Sequence, residues 1–211
     1  MNQSEFFSKH DPKILPILRK AVIGIAGAGG LGSNIAVSLA RAGIGKLVIA
    51  DFDIIEPSNL NRQQFFIHQI GMPKVEALKE NLLVVNPFSE YEIHNLKIDS
   101  GNISDIFSKV NIMAEAFDKA EMKQMLIETW LTEFSEIPII AGSGLAGYGK
   151  NELLHTRKYG NLYICGDEET GLTEGITPMA PRVGIVANMQ ANLILELLAN
   201  SNVNQNTTEE I

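Results

Sequence analysis

A glycine-rich turn and an acidic residue about twenty positions later give this sequence a candidate nucleotide site. The turn spans residues 27–32 and reads Gly-Ala-Gly-Gly-Leu-Gly. Gly27 can form the tight turn, Gly29 lets backbone amides approach a phosphate, and Gly32 allows a helix to pack closely on a strand. Asp51 stands where a carboxylate can accept the ribose hydroxyls. The pattern predicts a nucleotide site, with a tight structural turn as the alternative, and the motif alone does not separate a dinucleotide from ATP.

The residues that follow Asp51 favour ATP. Asn59 and Arg62 lie close behind it, and Lys74 opens the next helical pattern. A hydride-transfer site has no need of cations there, whereas transfer of a phosphoryl or nucleotidyl group needs them to neutralise charge on phosphate oxygens. A lysine at the amino end of a helix is unfavourable because its charge opposes the helix dipole, so this position suggests that the ammonium group has a function. Arg62 and Lys74 could instead be solvated surface residues, and Asp53 is interpreted as a loop acid without a role.

The elements that must position these residues alternate along the first part of the chain. Runs of strand length, buried on both faces as in parallel sheets, cover 21–26, 46–50, 110–114 and 137–141, and a more alternating run at 91–96 is expected nearer a sheet edge. Amphipathic helical patterns lie between them at 31–42, 74–85 and 120–134. This order predicts an α/β fold with a Rossmann-like, doubly wound, mostly parallel sheet that has helices on both faces.

The pattern changes after residue 141. Short strands at 153–156 and 161–165 around a turn at 157–160 predict a short antiparallel extension, and a helix is expected from Pro181 to about residue 198. The domain prediction is an N-terminal helical segment (1–20), one domain (21–198) divided into a nucleotide-binding part (21–141) and a second part (142–198), and a polar tail (199–211).

Composition limits the classes of function. A chain of 211 residues with 45% hydrophobic and 20% charged residues suits one folded domain. The net charge of −8 repels a polyanion, so nucleic acid is not an expected partner. The single cysteine, Cys165, excludes an internal disulfide framework and favours a reducing compartment, so a cytoplasmic location is expected. Polar residues interrupt the longest apolar stretch, 183–199, so no membrane-spanning helix is expected.

Longer motifs carry a family resemblance. The segments GAGGLGSN (27–34) and DFDIIEPSNLNRQ (51–63), the Gly-Met-Pro-Lys step ending at Lys74, and Asp118 resemble the ubiquitin-activating-enzyme superfamily. Within it, the chain is similar to the small bacterial ThiF branch, the adenylyltransferases that act on the sulfur carrier protein of thiamine biosynthesis. The similarity covers most of the chain, and the segments at 163–167 and 179–184 look like the short variant of that branch.

This resemblance implies a set of site residues. It assigns Gly27, Gly29, Gly30 and Gly32 to the nucleotide phosphates, Asp51 to the ribose, Asn59, Arg62 and Lys74 to the polyphosphate, and Asp118 to a magnesium ion. The implied cofactors are ATP and Mg²⁺, and no zinc is expected because the CxxC pairs of larger relatives are missing.

The implied reaction joins the C-terminal glycine carboxylate of a ubiquitin-like, ThiS-like sulfur carrier to the α-phosphate of ATP and releases pyrophosphate. The carboxylate is already ionised at neutral pH, so the site needs alignment and charge compensation rather than a general base. Arg62, Lys74 and Asp118 are therefore the candidate catalytic residues, although Asp118 could instead cap the helix that follows it.

The resemblance also bears on partners. It implies a carrier that ends in Gly-Gly, a homodimer and a sulfur donor protein, with the stretches 142–149 and 167–177 as candidate walls of a narrow channel for the carrier tail. Cys165 is a further candidate catalytic residue, since a cysteine forms a persulfide or acyl link in some relatives; the alternative is a small buried hydrophobe. Longer relatives also have an N-terminal segment with an arginine that reaches the ATP site of the partner subunit. The candidates for that contact here are Lys9, Arg19 and Lys20, and Lys9 is preferred.

Two other functions remain open at this stage. The glycine turn and Asp51 also fit a nicotinamide-dependent oxidoreductase, although only some seventy residues would be left for a substrate domain. A catalytically silent nucleotide-binding scaffold is the other alternative. The combination of Asp51, Arg62, Lys74 and Asp118 argues against a scaffold, because binding alone would not need this set.

Overall fold

The computed structural model describes residues 1–171 and 176–208, with the backbone alone for 202–208. Its α-helices are α1 (Gln3–Phe7), α2 (Leu15–Leu18), α3 (Gly30–Ala42), α4 (Lys74–Val85), α5 (Ile103–Phe107), α6 (Ala120–Glu133) and α7 (Ala180–Thr208). Its strands are β1 (Val22–Ala26), β2 (Lys46–Asp51), β3 (Glu90–Asn95), β4 (Ile112–Glu115), β5 (Ile139–Ser143), β6 (His155–Tyr159) and β7 (Leu162–Gly166). Short 3-10 helices cover Pro57–Asn61, Ile67–Gln69 and Asn151–Leu153.

These strands form one sheet in the order β3-β2-β1-β4-β5-β7-β6, in which all neighbours are parallel except β6 and β7. The predicted doubly wound α/β fold and its antiparallel extension are confirmed. The chain leaves β1 towards β2 on one side and returns to β4 on the other, so the strand order reverses between β1 and β4. Ligands of such sheets bind beyond the carboxyl ends of the strands at this reversal.

Two apolar layers cover the sheet. On one face, Ile23 and Ile25 of β1 pack in a cluster with Ile35 of α3, Leu78 of α4 and Ile194 of α7. On the other face, a second cluster joins Val48 and Met113 of the sheet to Phe107 of α5 and Trp130 of α6. Both faces are covered because the central strands are apolar at successive positions, as parallel strands require.

The hairpin of β6 and β7 differs from the sequence prediction. Residues 157–159, expected in a turn, belong to β6, and the two-residue connection is Gly160 and Asn161. Gly160 has φ +61°, a conformation that suits the tight connection of a hairpin. The strand pairing therefore continues to the last residue before the glycine.

Helix α7 is also longer than predicted. It continues to Thr208, well into the segment expected to be a polar tail, because this part of the sequence contains no glycine or proline to end it; residues 209–211 lie outside the described part. Its stretch Ala180–Ser201 is long and apolar enough to cross a membrane by length and composition, with 44% of that window buried inside the protein. Gln190 in this stretch donates to the carbonyls of Glu115 and Ile140, so α7 is a core helix that packs on the sheet.

Candidate nucleotide site

A cavity of about 520 Å³ opens at the carboxyl ends of β1, β2, β4 and β5, at the reversal of strand order. The predicted residues that line it are Gly27, Gly29, Gly30, Asp51, Arg62, Lys74 and Asp118. Of the other polar lining residues, Ser143 and Thr170 belong to the two predicted channel walls. The rest have no assigned role in the sequence prediction: Asp53, Gln63, Lys97, Lys119, Glu121 and Lys123. The larger apolar lining residues include Phe52, Leu96, Ile98, Phe117 and Met122. The fold thus brings one nucleotide-sized space together from segments spread along the sequence.

The glycine turn forms one wall of this cavity. Gly27 has φ +102°, and a Cβ on Gly32 would lie 1.9 Å from the carbonyl oxygen of Gly27, so no side chain fits there. Gly32 does not line the cavity and serves the close packing of α3 on β1 instead. Helix α3 begins after Gly29 without a side-chain cap. Its first backbone amides therefore remain available to an anion at the helix amino end.

Asp51 is fixed by two backbone donors. Its Oδ2 accepts from the N–H of Ala28 at 2.6 Å, and its Oδ1 accepts from the N–H of Asp53 at 2.8 Å. Burial raises the pKa of Asp51, and the two hydrogen bonds and the charge of Lys74 oppose that rise. The carboxylate sits beside the glycine turn, where an acceptor for sugar hydroxyls is expected.

Lys74 forms an ion pair that the sequence analysis did not foresee. Its Nζ lies 2.7 Å from Oδ2 of Asp53, and its side chain is only 9% exposed. The backbone N–H of Lys74 also donates to the carbonyl of Asp53 at 2.9 Å. The interpretation of Asp53 as a loop acid without a role is therefore wrong, because its carboxylate compensates the cation at the amino end of α4.

Arg62 borders the glycine turn from the other side. Its Nη1 donates to Oδ1 of Asn61 at 2.7 Å and to the carbonyl of Ser58 at 3.3 Å. Nε of Arg62 would lie 3.6 Å from a Cβ placed on Gly30, so the guanidinium is next to the glycine turn. The side chain is half-buried and retains donors for an anion in the cavity.

Of the two polar residues near Arg62, Gln63 lines the cavity and Asn59 does not. Gln63 lines it beside Gly29, and its buried Oε1 has no hydrogen-bond partner among the described residues. Asn59 is not a lining residue; its Oδ1 accepts from the N–H of Glu56 at 3.0 Å and closes the 3-10 helix. We therefore leave Asn59 out of the proposed phosphate site. The orphaned amide oxygen of Gln63 was not visible in the sequence.

Asp118 lines the cavity between β4 and α6. The cap position of α6 is Lys119 and has no side-chain cap, so the structure gives no support to a capping role for Asp118. Among the described side chains, those of residues 1–171 and 176–201, none bonds to the Asp118 carboxylate, and no group of three or more His, Cys, Asp or Glu could hold a metal ion. A single free carboxylate suits Mg²⁺ that is held chiefly by substrate phosphates and water.

A second ion pair lies at the opposite wall. The side chain of Glu115 is fully buried at the end of β4 and pairs with Nζ of Lys123, which also donates to the carbonyl of Gly142 at 3.0 Å. Burial raises the pKa of Glu115, and the charge of Lys123 opposes that rise. The pair joins the ends of β4 and β5, and Lys123 remains partly open to the cavity.

The two predicted walls of the tail channel meet at the far end of the cavity. Gly144 and Ala146 line it from the first wall, and Thr170 and Gly171 from the second. The backbone N–H of Gly147 donates to the carbonyl of Thr177 at 3.0 Å, so the two segments are joined. Residues 172–175, part of the second predicted wall, lie outside the described residues.

Cys165 lies away from this cavity. It is 0% exposed in β7, between β5 and β6, and its Sγ lies 3.6 Å from Oγ1 of Thr156. Burial raises the pKa of the thiol, and the contact with Thr156 opposes that rise. Cys165 therefore matches the alternative of a small buried hydrophobe, because the residue occupies an inward position of an internal strand.

The basic residues at the amino end do not line the cavity of their own chain. Arg19 donates to the carbonyl of Phe88 at 2.6 Å, and its guanidinium lies 5.1 Å from the ring centre of Phe7. Lys9 and Lys20 are exposed. Arg19 is therefore held by its own chain, and Lys9 stays a prediction for a contact in trans.

The strand order and the cavity at its reversal define a protein of the doubly wound α/β class, in which ligands bind at this position. The chain belongs to the ThiF family, whose model matches residues 4–210. The predicted family is thereby confirmed.

Curated relatives give the same assignment. Molybdopterin-synthase adenylyltransferase of Salmonella typhimurium is 29% identical over 189 residues, which are 86% of this chain and 74% of that protein. Adenylyltransferase and sulfurtransferase MOCS3 of Caenorhabditis briggsae is 30% identical over 190 residues, 86% of this chain and 46% of that protein. The chain thus spans about half the length of the second relative. The predicted nucleotidyltransferase class agrees with the names of both relatives.

Among solved structures, Escherichia coli tRNA N6-threonylcarbamoyladenosine dehydratase, TcdA, in complex with ATP has a TM-score of 0.85. Its sequence is 19% identical, and the match covers 96% of this chain and 95% of that chain. Escherichia coli MccB with AMPCPP and MccA has a TM-score of 0.71 at 22% identity, covering 95% of this chain and 65% of that one. At these identities the likeness shows the fold.

Proposed function

We propose that this protein is an ATP-dependent adenylyltransferase that activates the C-terminal glycine carboxylate of a ubiquitin-like sulfur carrier protein. The observation that supports this most directly is the convergence of the glycine turn, Asp51, Arg62, Lys74 and Asp118 on one cavity. Two cations and a free carboxylate near an anion-binding helix end suit the polyphosphate of ATP better than a nicotinamide dinucleotide.

The cavity divides into regions that suit the parts of ATP. The apolar surface formed by Phe52, Leu96, Ile98, Phe117 and Met122 suits the adenine ring. Asp51 is placed for the ribose, and the amides of α3 with Arg62, Lys74 and Gln63 surround the phosphates. Mg²⁺ bound near Asp118 would supply further charge compensation on the phosphate oxygens.

The proposed reaction is a nucleotidyl transfer. One carboxylate oxygen of the carrier forms a bond to the α-phosphorus while the bond from that phosphorus to the bridging oxygen of the β-phosphate breaks, and pyrophosphate leaves with the electron pair. Because the nucleophile is already charged, the protein acts by aligning it and by stabilising charge on the phosphates. Arg62 and Lys74 are placed for that second task.

We further propose that the carrier is ThiS-like, ends in Gly-Gly and serves the thiazole sulfur of thiamine in the cytoplasm. This finer assignment is supported by the resemblance of segments 163–167 and 179–184 to the short ThiF branch, and the homodimer rests on that resemblance alone. A separate sulfur donor protein is proposed because the one thiol of the chain, Cys165, is buried.

Carrier-dependent ATP:pyrophosphate exchange tests the proposal. The purified chain is incubated with ATP, Mg²⁺ and labelled pyrophosphate, together with ThiS-like or molybdopterin-type carriers and with the same carriers lacking the two terminal glycines. Exchange with an intact carrier, together with an adenylate in its intact mass, supports the activity, and the preferred carrier decides the pathway. Nucleotide binding without exchange for every carrier would overturn it in favour of a silent scaffold, and nicotinamide fluorescence on binding would favour an oxidoreductase.

A further inference from the structure

A buried ion pair lies behind the far wall of the cavity, outside the phosphate site. Nη2 of Arg182, in the first turn of α7, is 2.5 Å from Oδ2 of Asp167, which follows β7. Both residues are 2% exposed. Nothing in the proposed chemistry uses either side chain directly, because neither lines the cavity.

The pair connects three segments. Arg182 also donates from Nη1 to the carbonyl of Gly149 at 2.5 Å and from Nε to that of Gly144 at 3.3 Å. Asp167 in turn accepts from the backbone N–H groups of Glu169 and Thr170 and from the hydroxyl of Thr170. One guanidinium therefore holds the loop 144–150, the segment 167–170 and the start of α7 together.

Two glycines leave this arrangement little freedom. A Cβ on Gly144 would lie 1.7 Å from Oδ1 of Asp167, and a Cβ on Gly166 would lie 1.6 Å from the carbonyl of Ser143. Both glycines have positive φ, +76° and +135°. The side chain of Asp167 therefore packs directly against the backbone of Gly144, and this contact fixes the distance between the two walls.

A buried ion pair is weak evidence for stability, because desolvation of the two charges opposes their attraction, and such pairs are often replaceable by apolar residues. In this protein, however, the hydrogen bonds of the pair are made to residues of the cavity wall. Gly144 and Thr170 line the cavity, and so does Val183, the neighbour of Arg182. The arrangement therefore suits a role in setting the geometry of that wall.

We propose that Asp167 and Arg182 are positioning residues that set the spacing of the two walls between which the carrier's C-terminal tail is held. This inference rests on the proposed adenylyltransferase function and adds to it the residues that align the second substrate. The proposed phosphate site is built from other elements, so loss of the pair should weaken the interaction with the carrier and leave ATP binding unchanged.

Arg182→Gln tests the proposal in the carrier-dependent exchange assay, with the carrier that the wild-type chain activates. The KM for the carrier is expected to rise about 10- to 100-fold, as misalignment of a reactant does, while the directly measured Kd for ATP changes less than about twofold. Arg41→Gln, at an exposed arginine near the end of α3, is the matched control and should change neither value. An unchanged carrier KM, or an equal loss of carrier and ATP affinity, would overturn the proposal.

Asp167→Asn is the second variant, because it removes the charge and keeps the shape, and it decides the question if Arg182→Gln does not fold. The same selective rise in carrier KM is expected, with partial recovery in Arg182→Lys, which keeps the charge but lacks the planar fork. The double variant should be no worse than either single one, because both substitutions disrupt one interaction. Additive effects would refute a joint role. If the wild-type chain itself activates no carrier, the proposed function fails instead, which this experiment distinguishes.

Discussion

The ammonium nitrogen of Lys74 lies 2.7 Å from Oδ2 of Asp53, so the cation at the amino end of α4 is held by the loop that follows β2. The same loop fixes Asp51 through the backbone N–H of Asp53. One short segment therefore orients both Asp51, the proposed ribose acceptor, and Lys74, a cation of the proposed phosphate site. This coupling explains how a lysine can be nearly buried at a helix end whose dipole opposes its charge.

Lys74→Gln is expected to lower carrier-dependent exchange by about 100-fold or more, since removal of one charge-stabilising donor has effects of that order. Asp53→Asn should lower it by about tenfold, because the ammonium stays but loses its orienting partner. Steady-state exchange measured across ATP concentrations checks both. A larger loss in Asp53→Asn than in Lys74→Gln would contradict the proposal that Lys74 acts on the phosphates and Asp53 only orients it.

Arg62→Ala should abolish carrier-dependent exchange and leave the fold intact, because the side chain borders the phosphate turn and is only half-buried. Circular dichroism and thermal unfolding should match the wild type. Arg41→Ala is the control, since this arginine is exposed near the end of α3 and does not line the cavity. Unchanged exchange in Arg62→Ala would remove Arg62 from the catalytic set.

Cys165→Ala should retain full exchange activity and lose about 1 kcal/mol of unfolding free energy, the usual effect of a small deletion in a core. The native thiol should be unreactive towards an alkylating reagent at pH 8, because it is buried with a raised pKa, and should react once the chain is unfolded. Mass spectrometry measures the modification. Rapid labelling of the folded chain, or a carrier adduct at this residue, would restore its sulfur-transfer role.

Gly32→Ala should destabilise the fold by more than about 3 kcal/mol, because its Cβ would meet the Gly27 carbonyl oxygen at 1.9 Å where neither backbone can move freely. Gly184→Ala, also in the first turns of a helix, meets nothing within 4 Å and should stabilise by about 0.5–1 kcal/mol. Urea unfolding compares the two. Equal changes in the free energy of unfolding would show that the close contact between residue 32 and the Gly27 carbonyl does not require a glycine.

ATP binding should weaken on acidification at a higher pH than an ordinary aspartate would produce. Burial raises the pKa of Asp51, so its carboxylate takes up a proton above the usual value of about 3.9. The affinity ratio of wild type to Asp51→Asn should therefore fall towards one as the pH decreases through that raised pKa. Fluorescence titration of both proteins at each pH cancels the ionisation of the nucleotide itself. A ratio that stays constant at every pH at which the protein remains folded would exclude Asp51 as the charged acceptor.

Much of the fold follows from apolar periodicity. Helix α4 has the predicted bounds, Lys74–Val85, and β2 is confirmed to within one residue, because long periodic patterns define one buried face. Helix α5 was missed since its five residues are too few to show a period. The strands of the final hairpin were displaced because exposed β6 has no alternation to mark its ends.

The site was predictable where backbone geometry or a motif demands a residue type. Most predicted residues line the cavity as expected, namely Gly27, Gly29, Gly30, Asp51, Arg62, Lys74 and Asp118, whereas Gly32 and Asn59 do not. The three ion pairs, Asp53 with Lys74, Glu115 with Lys123, and Asp167 with Arg182, were not foreseen. Their partners come from different elements, and the period of a strand or helix says nothing about which polar side chains meet.

Val183 packs beside Gly30, 153 positions earlier in the chain, and both face the cavity. A nascent polypeptide that has emerged only as far as β5 would already contain the glycine turn, yet one side of the cavity would stay open until α7 has been synthesised and has packed on the sheet. Under the proposed function, ATP bound at the glycine turn would also contact α7, and its binding would therefore oppose detachment of this helix from the sheet.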